Sequence, residues 1–229
     1  MIPHRPAAVV CDMDGLLVDS ERQERRVWQA AAAEHGVAMD DARFATFVGH
    51  PADACARMLR GYYGDGFDVD AFRATCHRHM RALVAAEGVP LRPGAEAWLR
   101  FVAGLGIPLG LATSSGPELV QGRLGALLPA FAAVVTRADV ARGKPHPDLY
   151  LEAAARLRVA PADCLALEDS PTGADAALAA GMPVVIVPDL VVPPPAVAAR
   201  AAGVYASLDL VRAAAARAWG GDRVAGAAG

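Results

Sequence analysis

The segment Val9-Val10-Cys11-Asp12-Met13-Asp14-Gly15-Leu16-Leu17-Val18-Asp19-Ser20 constrains the fold of this chain more than any other. Ala7 to Cys11 is an uninterrupted apolar run. Its length suits a strand, and its lack of alternation suits one buried on both faces, as in a parallel sheet. The run stops at Asp12, and Asp14 follows two residues later, so extended backbone would turn both carboxylates to one side. Gly15 lets the chain turn away at once. Two like charges at the mouth of an apolar element cost free energy unless a cation or a proton offsets them. A hard divalent cation with oxygen ligands, most simply magnesium, meets that need. On Asp-x-Asp alone, an Asx turn closing a surface strand would be the better explanation. The remainder of the chain decides between them.

From Ser20 to Glu34, Val27, Trp28, Ala31 and Ala32 recur at helical spacing among polar residues. Ser20 is expected as the N-cap and Gly36 as the stop. Further helices are expected over Asp40–Phe47, Pro51–Tyr63 and Val69–Glu87, with no strand run between Leu17 and Glu87. This block reads as a helical bundle inserted after the first strand. Beyond Pro93-Gly94 the pattern changes to alternation. Helices over Ala95–Leu105, Glu118–Leu128, Pro147–Leu157 and Thr172–Ala180 interleave with strands over Pro108–Ala112, Phe131–Val135, Cys164–Leu167 and Val184–Val187. Such alternation predicts an α/β fold: a Rossmann-like parallel sheet with right-handed crossovers, carrying an inserted α-helical cap. The expected boundaries are 1–16 with 88–229 for the core and 17–87 for the cap. The tail through Pro193-Pro194-Pro195 to Ala216 reads as loop and closing helix, and Arg217 to Gly229 as frayed.

Composition narrows the functional classes. A chain of 229 residues that is 54% apolar can build a large core, and a net charge of −3 gives no reason to expect nucleic acid or an anionic membrane as partner. The N-terminus, Met1-Ile2-Pro3-His4-Arg5-Pro6, carries no apolar segment of signal-peptide length and no stretch elsewhere reaches membrane-spanning length without charge or turn residues, so a cytoplasmic location is expected, with no obligate protein partner inferred. Cys11, Cys55, Cys76 and Cys164 are widely spaced and read as reduced structural thiols. Cys76, His77 and His79 suggest zinc, but no second ligand pair stands at suitable spacing. Of the 22 basic residues all are arginine except Lys144. Lysine has survived there, which points to a site wanting a compact ammonium beside a small anion; survival by chance is the plainer alternative.

In parallel sheets, sites form beyond the carboxyl ends of the strands. The residues at those ends are Asp12 and Asp14, then Thr113, then Glu168, Asp169 and Ser170, with Lys144 in the loop region after the third strand. Around a bound phosphate, a cation held by Asp12 and Asp169 would neutralise some phosphoryl oxygens. Lys144 and Thr113 would hold others, and a free carboxylate could attack in line. Glu168 and Asp169 fit a hard-cation cage better than simple surface charge.

Four spaced motifs then resemble the haloacid dehalogenase-like superfamily, in the β-phosphoglucomutase-like and sugar-phosphatase branch whose helical cap follows the first strand. They are Asp12-Met13-Asp14-Gly15-Leu16-Leu17-Val18-Asp19-Ser20, Leu111-Ala112-Thr113-Ser114-Ser115, Gly143-Lys144-Pro145-His146-Pro147-Asp148 and Leu167-Glu168-Asp169-Ser170-Pro171-Thr172-Gly173. The resemblance implies Asp12 as the nucleophile that becomes an aspartyl-phosphate. It implies Asp14 as the acid for the leaving alcohol and then the base for water. Thr113 and Ser114 would bind the phosphoryl group, with Lys144 linking it to Asp12. Asp12, Asp169, Glu168 and the backbone carbonyl of Asp14 would hold Mg2+.

Within this superfamily, Asp14 argues against the dehalogenases, which lack the second aspartate. The absence of lysine from Leu16 to Glu87 excludes the Schiff-base phosphonate hydrolases. A β-phosphoglucomutase-like mutase is the alternative, weakened by Glu24 and Ala52 where those enzymes have a histidine and an arginine. Cap closure is expected about hinges near Leu16–Asp19 and Glu87–Pro93, with Glu21, Glu24, Gly49 and His50 as candidate substrate contacts. His50 reads equally as a solvated loop residue. The expectation is therefore a magnesium-dependent phosphatase acting on a small phosphorylated metabolite, a sugar phosphate or related phosphomonoester. A non-catalytic binding protein on this fold would be expected to lack a motif residue, and none is missing.

Overall fold

Short apolar runs alternating with amphipathic stretches can bury themselves together only as a sheet covered by helices, and the computed structural model has this form. It describes residues 2–48, 50 and 52–220. The first strand is β1 (Ala8–Cys11). After it come α1 (Ser20–Glu34), α2 (Asp41–Ala45), α3 (Ala52–Tyr63) and α4 (Val69–Glu87). The alternating part contains α5 (Ala95–Gly104), β2 (Leu109–Ala112), α6 (Pro117–Leu124), β3 (Ala133–Val135), α7 (Asp148–Leu157), β4 (Cys164–Glu168) and α8 (Pro171–Ala179). It closes with β5 (Val184–Ile186), α9 (Pro195–Ala198), β6 (Gly203–Val204) and α10 (Leu208–Trp219). Two compact units result, one holding the chain up to Val18 and from Leu91 onward, the other Asp19–Pro90.

In the first unit six strands among the described residues form one sheet in the order β3-β2-β1-β4-β5-β6, every neighbouring pair parallel. Every residue of β1, β2 and β4 is buried, so the strands lack polar alternation because both faces are covered. Leu149, Tyr150 and Ala153 of α7 pack on one side with Ala174 and Ala177 of α8.

The second unit has its own aromatic core. Trp28 of α1 meets Phe44, Phe47 and Phe72 at centroid separations of 5.8, 5.0 and 5.6 Å. Asp68 caps α4 by accepting from the Ala71 N–H at 2.9 Å. Among the described residues no helix is long and apolar enough to cross a membrane.

Three local expectations need correction. Asp19, not Ser20, occupies the cap position of α1; Ser20 is its first helical residue and is buried. Helix α6 ends at Leu124, and Gly125–Ala130 winds as a 3-10 turn, with Pro129 unable to supply an α-helical N–H. Helix α10 runs on past Ala216 to Trp219, which is 3% exposed and donates its indole N–H to the Pro3 carbonyl at 2.9 Å. Trp219 also stacks on Phe101, so packing fixes the helix end that weak patterning left open. Residues 221–229, also expected to fray, lie outside the described residues. Trp219→Ala should lower unfolding free energy by about 3 kcal/mol in urea titration; a change below about 1 kcal/mol would remove α10 from the core.

Candidate active site

The chain builds the sheet outward from β1 through β2 to β3, then returns to set β4 on the other side of β1. Loops leaving the two central strands diverge at such a reversal and open a crevice at their carboxyl ends. Cys11 lies opposite Leu167, so Asp12 and Glu168 leave the sheet at one level; Thr113 follows β2 directly.

Asp12, Glu168 and Asp169 are 5%, 0% and 9% exposed. One carboxylate oxygen from each lies within 4.8 Å of the others. Between two of them sits the single lysine. Lys144 Nζ donates to Asp12 Oδ1 and to Glu168 Oε1, each at 2.6 Å. Buried charges need such pairing, because desolvating an unpaired ion costs several kcal/mol. Glu168 is held further: the Tyr150 hydroxyl donates to the same Oε1, and Oε2 accepts from the Ser170 hydroxyl and the Asp169 N–H, both at 3.2 Å.

Two glycines make room for these carboxylates. A Cβ on Gly173 would overlap the Glu168 carboxylate, so the first turn of α8 can close over Glu168 only with glycine there. Gly15 has φ +79°, and a Cβ on it would overlap Asp169 Oδ2. The space left by one missing methyl group is therefore filled by the acid that follows β4.

Burial raises the Asp12 carboxyl from 3.8 to about 7, against the lowering pull of Lys144. Burial lowers Lys144, but Asp12 and Glu168 outweigh it and leave the ammonium more firmly protonated than usual. Tyr150 is pushed up by burial and by Glu168, so it remains a phenol donor. Asp12, Glu168 and Asp169 form an all-oxygen donor set of the kind that suits a hard divalent cation, and the Gly15 cradle around Asp169 fits that use.

Asp14 lies outside that carboxylate cluster. Its Oδ2 accepts from the Ser115 hydroxyl at 2.7 Å and from Thr113 Oγ1 at 3.5 Å, and its Oδ1 accepts from the Arg123 guanidinium. Thr113 is fully buried and accepts the Ser115 N–H at 3.0 Å, while Ser114 is exposed at the same turn. Of the residues expected to touch substrate from the cap, Glu21 and Glu24 lie on α1 and His50 in the loop before α3, all in the second unit. Gly49 lies outside the described residues.

Sequence reasoning passed over Arg123, Tyr150 and the hydroxyls of Ser115 and Ser170. Ser115 and Ser170 stand inside the motifs, which is a usable signal. Tyr150 reads as one more core residue of α7, and Arg123 as one more arginine among many.

The pattern that characterises haloacid dehalogenase-like hydrolases matches residues 6–181. The chain belongs to this family. It is similar to hexitol phosphatase A of Escherichia coli, 37% identical over 178 residues that cover 77% of this chain and 80% of that protein. Validoxylamine A 7'-phosphate phosphatase of Streptomyces hygroscopicus is 32% identical, over 75% of this chain and 80% of its own. A crystal structure of a HAD family hydrolase from Deinococcus radiodurans, with bound phosphate and sodium, superposes with a TM-score of 0.77. It is 31% identical and covers 94% of this chain and 97% of the other.

Because Asp12 is raised, the folded metal-free protein keeps its proton between pH 3.8 and about 7 while the unfolded chain has released it. The contribution is thus present below the unfolded value and lost as pH rises through the folded one. Urea midpoints of metal-free protein should fall between pH 4.5 and 7.5 relative to Asp12→Asn, and an added divalent cation should flatten the difference; parallel profiles would contradict the Asp12 environment. Lys144→Arg should lower turnover by about 100-fold, since a planar guanidinium cannot take the place of a compact ammonium between two buried acids. Wild-type turnover would show that any cation serves.

Proposed function

We propose that this phosphoric monoester hydrolase cleaves a small phosphorylated metabolite, a sugar phosphate or close relative, through an aspartyl-phosphate on Asp12 with Mg2+ bound. The observation that carries the reading is the buried Asp12 carboxylate at the end of β1, held by Lys144 at 2.6 Å beside Asp169. The phosphatase relatives, and the Deinococcus structure with its phosphate, agree with it.

In this scheme Asp12 attacks phosphorus in line with the ester oxygen. As the P–O bond breaks, Asp14 gives its proton to the departing alkoxide, and the alcohol leaves. Water then attacks the phosphorus of the aspartyl-phosphate while Asp14 takes its proton back. Inorganic phosphate departs and the Asp12 carboxylate is restored. Lys144 orients Asp12 and neutralises phosphoryl oxygens, while Thr113 and the N–H of Ser114 hold others. Glu168, already accepting from Lys144, Tyr150 and Ser170, keeps the ammonium in place and is itself the third member of the carboxylate cluster. Asp12, Asp169 and the backbone carbonyl of Asp14 would hold the Mg2+, which when bound supplies positive charge for the phosphoryl oxygens.

The substrate contacts proposed from the second unit are Glu21, Glu24, Gly49 and His50. A panel of phosphomonoesters incubated with protein and magnesium should release free phosphate, most rapidly from sugar or polyol phosphates. Asp12→Ala should reduce release to background, and turnover surviving in that variant would refute the nucleophile. An isomerised sugar phosphate formed only with a bisphosphate primer would favour the mutase instead.

A further inference from the structure

Asp14 works, in the scheme above, by delivering a proton to one oxygen at one moment, and its own rotamer preferences do not aim it. The terminal torsion of an aspartate is broad and roughly two-fold, so neighbours have to set the plane of the carboxylate. Two neighbours approach opposite oxygens. The Ser115 hydroxyl holds Oδ2 at 2.7 Å, and the Arg123 guanidinium holds Oδ1. Ser115 is itself tied down by its N–H to Thr113 Oγ1 at 3.0 Å. Arg123 stands near the end of α6, the helix that starts just past the Thr113 turn.

Arginine as a residue type signifies little in a chain that uses it at every basic position but one. Burial and aim are what distinguish this one. The Arg123 side chain is 7% exposed and that of Arg92, paired with Asp189, 13%, whereas Arg22 and Arg57 keep 45% and 69% of theirs; of these four, Arg123 is the one aimed at Asp14. Asp14 by contrast remains 23% exposed, open enough to meet a ligand yet gripped from behind. Such an arrangement holds both oxygens of a carboxylate that is still partly exposed.

We infer that Arg123 is a positioning residue: with Ser115 it fixes the plane of Asp14 so that the carboxyl meets the leaving-group oxygen. The inference rests on the reading of Asp14 as the general acid, and the test separates the two. An acid that protonates the leaving group matters for an alkyl ester and little for an aryl ester whose phenolate leaves unaided. The probes are glycerol 3-phosphate and p-nitrophenyl phosphate, with kcat/KM measured on both because it reports the step that expels the alcohol.

Arg123→Met should lower kcat/KM on glycerol 3-phosphate by about tenfold or more and on p-nitrophenyl phosphate by less than about threefold. Arg123→Lys should recover part of the selective loss. Ser115→Ala, which removes the other half of the grip, should show the same selectivity in weaker form. In the double variant Arg123→Met with Asp14→Asn, the ratio between the two esters should equal that of Asp14→Asn alone, since both changes act through one carboxylate. Far-UV circular dichroism checks folding; if Arg123→Met does not fold, Arg123→Lys and Ser115→Ala decide. Equal losses on both esters, or none, in the folded Arg123 and Ser115 variants would overturn the inference. If Asp14→Asn itself loses equally on both, the general-acid reading fails and takes the inference with it. If Asp14→Asn is selective and the Arg123 and Ser115 variants are not, only the inference fails.

Discussion

A single buried ammonium organises the catalytic end of the sheet. Lys144 lies 2.6 Å from an oxygen of Asp12 and 2.6 Å from one of Glu168, and its side chain is only 8% exposed. Three acids within a few ångströms could not share this space as free charges. The ammonium offsets part of that repulsion, and the hydrogen bonds of Tyr150 and Ser170 to Glu168 fix where it can sit. Removing one partner from a buried pair typically costs about 3–5 kcal/mol because the other charge is stranded. The same interaction therefore holds β1, β4 and the loop before α7 together and also prepares the nucleophile proposed for the reaction.

The two aspartates of the first motif, only two residues apart, sit in different surroundings. Asp12 is buried against an ammonium, while Asp14 is partly open and meets a guanidinium and a hydroxyl. Placing similar carboxylates in dissimilar environments is a general way to let one act as nucleophile and another move protons. The turn after β1 achieves this with Gly15, whose positive φ redirects the chain and whose bare Cα leaves room for Asp169.

Much of this was legible in the sequence because the signals were local. Apolar runs that end abruptly in acids or a hydroxyl located Asp12, Thr113 and Glu168, and alternation of strands with helices specified a parallel sheet. The lone lysine drew notice to Lys144 by contrast with its surroundings. What remained hidden was set by three-dimensional packing. Arg123 shares its burial with Arg92 and differs in its partner, Asp14, and neither property of an arginine has a marker in the sequence. Tyr150 looks like core filling and is so, except that its hydroxyl finds Glu168. The helical end at Trp219 was misjudged because its anchor, Pro3, lies at the other end of the chain.

The order of strands has a consequence for synthesis. Asp12 and Lys144 are 132 positions apart, and Glu168 and Asp169 come later still. No contiguous fragment ending before β4 contains Glu168 and Asp169, so the acidic cluster can assemble only after most of the core has been synthesised.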